Sequence, residues 1–161
     1  MSEGSENFKS IVECIRDFVK KCPYLSEFHR GIGVDYLAED TQSYMIEAVP
    51  CNPIVKRYVS GQSVRQFQFY FASRETYSRN VLDNLENCAF YERFQNWLEE
   101  CTKNDDLPEL TGGKVAREIM ATTHGYVFDA EQSKAQYMIQ CNLIYFCPQG
   151  GNVKWLLISP K

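Results

Sequence analysis

Apolar and polar residues alternate most regularly in the middle of the chain. Phe67, Phe69 and Phe71 recur at every second position with Gln66, Gln68 and Tyr70 on the other parity, which puts the three rings on one face of a strand. Such a face requires cover. The alternation breaks over residues 74–78, after which Val81, Leu82, Leu85, Cys88, Ala89, Phe94, Trp97, Leu98 and Cys101 follow at spacings of three and four. That is the period of an amphipathic helix. Folded back on the strand, it supplies the cover, and residues 63–103 become the unit around which the rest is arranged.

Upstream, Phe8, Ile11, Val12, Ile15, Phe18, Val19 and Cys22 form a second helical stripe, with Ser5 as N-cap and Pro23 as terminator. Lys20 and Lys21 suit the negative end of its dipole. Gly31 and Gly33 loosen the backbone before a short strand at 34–37. Residues 43–49 alternate Tyr44, Ile46 and Ala48 with Gln42, Met45 and Glu47, a strand stopped by Pro50. Residues 50–61 contain two prolines at their start, yet Ile54, Val55, Tyr58 and Val59 make them more apolar than a solvated loop requires.

Downstream, residues 104–113 read as an acidic loop rich in breakers. Two extended runs, 115–128 and 135–147, are joined by the polar residues 129–134 and form an antiparallel hairpin. Tyr137, Ile139, Cys141, Leu143 and Tyr145 give the second run one buried face. Residues 149–152 are a glycine-containing connection. Residues 153–158 are apolar again and suit an edge strand here or in a neighbour. The sum is an α+β fold: a mostly antiparallel sheet with an N-terminal helix and one long central helix packed on one face, a single domain over 1–161, with about 148–161 as a C-terminal tail or edge strand.

With 161 residues and 44% hydrophobic composition, the chain can bury a core without staples. The net charge of -4 and pI near 5.3 argue against a broad phosphate-binding surface. The seven cysteines, at 14, 22, 51, 88, 101, 141 and 147, form no CxxC pair and read as small core residues in a reducing compartment. No basic-then-apolar leader opens the sequence, and no run approaches the ~20 apolar residues of a membrane span.

Catalytic chemistry finds few candidates. The two histidines are His29 and His124. His124 has Cys141 across the hairpin as its nearest nucleophile, but neither an orienting motif nor an oxyanion hole accompanies the pair. Gly31 and Gly33 have Tyr36 where a dinucleotide fingerprint places its third glycine. Gly112-Gly113-Lys114 lacks the frame of a P-loop. Asp105-Asp106 has no alternating oxygen ligands, and Glu99-Glu100 lies on the exposed side of the long helix. The phenylalanine strand suits base stacking less well than a core.

Residues 34–40, 43–59, 66–75 (Gln66-Phe67-Gln68-Phe69-Tyr70-Phe71-Ala72-Ser73-Arg74-Glu75) and 123–130 (Thr123-His124-Gly125-Tyr126-Val127-Phe128-Asp129-Ala130) resemble, in this order, minor capsid or tail terminator proteins of long-tailed phages and prophages of Gram-positive bacteria. The likeness covers about residues 5–146. It implies a structural protein of the head–tail junction with a small α+β fold: a ring, commonly hexameric, that caps the tail tube, stops its polymerisation and offers a docking surface to the filled head. The partners implied are copies of itself, the major tail tube protein and a head-completion protein. The location implied is the virion, after synthesis in the host bacterial cytoplasm. Neither a cofactor nor a catalytic residue, membrane or specific nucleic acid is expected.

A ring uses heterologous contacts. The stretches left over once the core is assigned are 50–61, 105–114 and 155–158. Ile54, Lys56, Arg57, Tyr58, Asp105, Asp106 and Trp155 are therefore the candidate interface residues, while Ile54, Val55 and Tyr58 equally suit closure of a sheet edge. Two other readings stand beside the terminator. One is a different head–tail connector or head-completion protein. The other is a small acyltransferase-like enzyme, against which the absence of an HHxxxDG pattern counts.

Overall fold

The computed structural model describes residues 8–25, 32–35, 37, 43–76, 81–130 and 134–148. Two helices, α1 (Ile11–Val19) and α2 (Val81–Lys103), accompany seven strands: β1 (Ile32–Val34), β2 (Ser43–Val49), β3 (Ile54–Arg57), β4 (Ser63–Thr76), β5 (Val115–Ala121), β6 (Tyr126–Ala130) and β7 (Lys134–Cys147). The expected α+β class is the observed one.

β4 and β7 pair antiparallel from end to end, Ser63 opposite Cys147 and Thr76 opposite Lys134. This pair is the spine. β2 and then β3 run along the outer side of β4, and β5 and then β6 along the outer side of β7. Each flank is thus one long strand broken in the middle, by residues 50–53 with their two prolines or by residues 122–125. Pro explains the first break, since it offers no N–H to a ladder. β1 adds to β2 in parallel, the one parallel ladder among the described residues.

The face predicted to be covered is covered. Phe69 and Phe71 are wholly buried, Phe67 is half-buried against the same cluster, and Phe94 of α2 stacks on Phe71 with centroids 4.5 Å apart. From α1, Phe18 stacks on Trp97 of α2 at 4.8 Å, and Arg16 Nε donates to Ile32 O at 2.7 Å, which ties α1 to β1. Both helices share one core with Tyr44, Ile46, Ile139, Cys141 and Leu143.

Several boundaries differ from the pattern reading. Ser10, not Ser5, caps α1: its Oγ accepts from Glu13 N at 3.3 Å, and Phe8 is exposed. α1 ends at Val19 rather than at Pro23. The first short strand is Ile32–Val34, since Asp35 turns off with a positive φ while donating to Ile46 O. β4 continues through Arg74 and Glu75, because full-length pairing with β7 overrides the local loss of alternation. The run at 115–128 is two strands with a break between them. On α2 the stripe is displaced: Leu85 and Cys88 are exposed, while Phe90 and Tyr91 are buried. Residues 148–161, apolar over 153–158, were expected to form a tail or edge strand, and they lie outside the described residues apart from Pro148.

Candidate functional site

The most concentrated polar chemistry inside the fold is at the top of β4. Ser73 Oγ and Tyr91 Oη lie 2.6 Å apart, Tyr91 Oη donates to Tyr137 O at 3.2 Å, and Asn87 Nδ2 reaches Tyr137 Oη at 3.4 Å. Ser73, Tyr91 and Tyr137 are at most 2% exposed. Burial pushes the Tyr91 phenol well above its ordinary range. Burial likewise raises the Glu75 carboxyl, against the opposing hydrogen bond from Ser73. A hydroxyl with no exposure cannot meet a substrate, and no imidazole stands beside it among the described residues. The cluster holds α2 to the sheet. Sequence patterning missed it because Ser73 occupies an apolar parity and Tyr91 falls between the residues assigned to the helical stripe.

The histidine and cysteine readings resolve the same way. His124 is exposed in the break between β5 and β6, whereas Cys141 is wholly buried opposite Ala121. Burial alone raises the Cys141 thiol far beyond its normal range, so it stays protonated. Burial pushes Cys22 and Cys101 up to about 11. His29 lies outside the described residues. Glu99 and Glu100 are exposed on α2. Among the described residues no group of three or more His, Cys, Asp or Glu is placed to hold a metal ion, and no helix is long and apolar enough to cross a membrane.

A groove of about 750 Å³ lies between α1 and the loop that follows α2. Its charged rim mixes Lys9, Lys21 and Lys114 with Asp17, Asp105 and Glu109. Lys9 Nζ is paired with Asp17 Oδ2 at 2.9 Å. Lys9 N donates to Thr111 Oγ1, and Thr111 Oγ1 donates to Lys9 O, both at 3.2 Å, so the loop is stitched to the start of α1. The charges do not converge on one sign or one point, as a phosphate or cation would need.

The expected interface residues divide. Ile54, Lys56 and Arg57 lie on β3 and Tyr58 directly follows it. Asn52 Oδ1 accepts from Ile54 N at 3.1 Å, Gln66 N and Nε2 donate to Pro53 O and Asn52 O at 2.9 and 2.8 Å, and Tyr58 N donates to Gln62 O at 2.9 Å. Gly61 takes the positive φ of 96° that the turn needs. The hairpin is therefore held by backbone bonds and by the Asn52 and Gln66 side chains; Ile54 is half-buried, while Val55, Lys56, Arg57, Tyr58 and Val59 are exposed, Lys56 Nζ lying 5.0 Å over the Tyr58 ring. Edge closure and outward display are both true of this segment.

Asp105 and Asp106 have a local task. Asp106 N donates to Cys101 O at 2.8 Å and Asp105 N to Thr102 O at 3.2 Å, with Asp105 at φ 59°. This is a Schellman cap on α2. Both side chains remain exposed. Trp155 lies outside the described residues.

One exposed stretch had no counterpart among the expected residues. All five residues of β6 are exposed, including Tyr126, Val127 and Phe128, and Asp129 follows them. The helix-free face of the sheet is a third surface. Gln66, Gln68, Gln140 and Asn142 form a patch of amides there, with Asn142 Nδ2 donating to Gln66 Oε1 at 3.1 Å. Met45, Ala72 and Met138 make a small separate cluster beside it with Tyr70 and Leu37. The class defined is an α+β domain with one sheet face closed by helices and its outward chemistry on the other face and the edges. Comparison with protein-family models and with curated proteins finds no match to this chain.

Proposed function

We propose that this protein is a structural subunit of the phage head–tail junction, the tail terminator, which self-associates at the end of the tail tube, stops its growth and receives the head. The reading rests on the ordered resemblance of residues 34–40, 43–59, 66–75 and 123–130. One structural observation supports it: the polar groups near the core are sealed inside it, and β3 with its turn and β6 each carry a run of exposed apolar residues, Val55, Tyr58 and Val59 on the one and Tyr126, Val127 and Phe128 on the other. It works by contact and not by catalysis, with the major tail protein and a head-completion protein as partners.

Electron microscopy of tails assembled without this protein tests the reading. Overlong tubes that return to uniform length when the protein is supplied are the expected result. Tubes of normal length in its absence overturn it, and a head that fails to close around its genome assigns the head-completion role instead.

A further inference from the structure

Two parts of the sheet edge are protected and two are not. β1 covers β2 on one side. On the other, Thr102 of α2 caps β5, its Oγ1 donating to Ile119 O at 2.7 Å and accepting from Ile119 N at 3.0 Å. Those two backbone groups point away from β7, so α2 closes that edge to an incoming strand. β3 and β6 pair only inward among the described residues, with β4 and β7 respectively. They lie on opposite edges and near opposite ends of the spine, since β3 pairs with the start of β4 and β6 with the start of β7.

The same two segments carry runs of exposed apolar residues, beside those exposed elsewhere at Phe8, Leu85 and Val115. Val55 is 53% exposed and Val59 fully so beside β3, while Val127 is 45% and Phe128 62% exposed on β6. Each edge has a β-bulge, between Ile54 and Lys56 and between Val127 and Asp129, which turns an extra side chain outward. Their charges are opposite. β3 carries Lys56 and Arg57, and β6 carries Asp129 near its end.

We infer that β3 of one copy docks on β6 of the next, apolar against apolar and Lys56-Arg57 against Asp129. The occupant of each edge is a second copy of this chain, because the complement of each patch is displayed on the same molecule. The contact is head-to-tail: a patch that matches a different patch leaves one of each free on every pair, so the series closes into a ring or runs on as a filament. This inference rests on the proposed ring-forming role and gives it a surface.

A charge exchange tests it on the full-length protein, read by sedimentation and native mass spectrometry at matched concentrations. The wild type is expected to self-associate. K56E/R57E and D129K are each expected to weaken association at least tenfold, while circular dichroism and melting temperature stay near wild type because all three residues are exposed. Mixed in equal amounts, the two variants are expected to reassociate with one-to-one composition, since the reversed β3 of one meets the reversed β6 of the other. A wild type that stays monomeric up to hundreds of micromolar, a variant that associates as wild type does, or a mixture that fails to recover overturns the contact. Failure here leaves tail-length control untouched, and normal tails without the protein leave this contact untouched, so the two readings fail separately.

Discussion

Gly125 carries the sharpest test of how the helix and sheet fit together. It sits in the break between β5 and β6, and a Cβ built there would fall 2.4 Å from Tyr91 Cβ and 2.6 Å from Tyr91 Cγ. Carbon atoms in contact prefer about 3.5–4.0 Å, so more than about 1 Å of separation has to be found. The obstructing atoms are at the root of the side chain, and no rotamer change moves Cβ. α2 itself must lift, which pulls the Tyr91 hydroxyl from Ser73 and from Tyr137 O. Overpacking costs about 1–3 kcal/mol, and each buried hydrogen bond about 0.5–1.5 kcal/mol more. G125A is therefore expected to destabilise by about 3–5 kcal/mol, a large part of the ~5–15 kcal/mol available to a domain. In urea unfolding followed by circular dichroism, the midpoint should fall sharply with little change in slope. Y91F keeps Cβ and Cγ but removes the hydroxyl, and is expected to cost about 1–3 kcal/mol. The double variant should cost less than the sum, because the same two bonds cannot be lost twice. G125A within about 1 kcal/mol of wild type would refute the close approach.

Other outcomes follow from the capping, the buried carboxyl and the thiols. D105G should stabilise by about 0.5–1 kcal/mol, since glycine takes the left-handed C′ position without strain and a negative charge leaves the helix C-terminus; unchanged or lower stability in chemical denaturation counts against the cap. Burial raises the Glu75 pKa from its ordinary 4.5, so folding favours the protonated form: the group supports the fold below about that value and burdens it as the pH rises through the raised one. E75Q should therefore raise the melting temperature at pH 7 more than at pH 4, and equal shifts at both would sink the argument. At pH 8, a thiol reagent should react first with Cys88, more slowly with the half-buried Cys51 and Cys147, and with Cys14, Cys22, Cys101 and Cys141 only on unfolding. Rapid reaction of Cys22 or Cys101, held near 11, contradicts the packing.

Periodicity revealed the main sheet core because burial on the helix face follows residue parity; it did not reveal Met45, Ala72 and Met138, which are buried on the other parity. Phe67, Phe69 and Phe71 had to share a face, and so did Tyr137 to Tyr145 in steps of two. It did less well wherever a distant partner decides. Arg74 and Glu75 are strand residues because β7 lies alongside them. Ser10 beats Ser5 as N-cap through the geometry of one hydrogen bond, which propensity does not distinguish. Leu85 fits the helical spacing, yet it is 57% exposed while Tyr91 is buried. The reason is that α2 crosses above Gly125 and Ser73 through Tyr91, a contact no local window contains. The proposed contact residues were half legible: proline and excess apolarity marked residues 50–61, but β6 read as the interior of a longer strand.

The division between the sheet's two faces explains why contact chemistry ends up at the edges. The helix side is closed by Phe71, Phe94, Tyr91 and Trp97, and its polar groups are spent on each other. The other side bonds amide to amide at one point, Asn142 Nδ2 to Gln66 Oε1, within a patch of amides. What remains is the backbone and side chains of strands that have no outer neighbour among the described residues, with β1, tied to α1 through Arg16, set aside. Of the four flanking segments, β2 has β1 and β5 has Thr102. β3 and β6 are left, with opposite charge and exposed valines on each. A monomer that had to avoid self-pairing would be expected to place like charges on both edges, or to cover them, as it does the other two. Opposite charges on the two uncovered edges are the arrangement under which copies of one chain attract in order, and reversing either edge alone should set that order against itself.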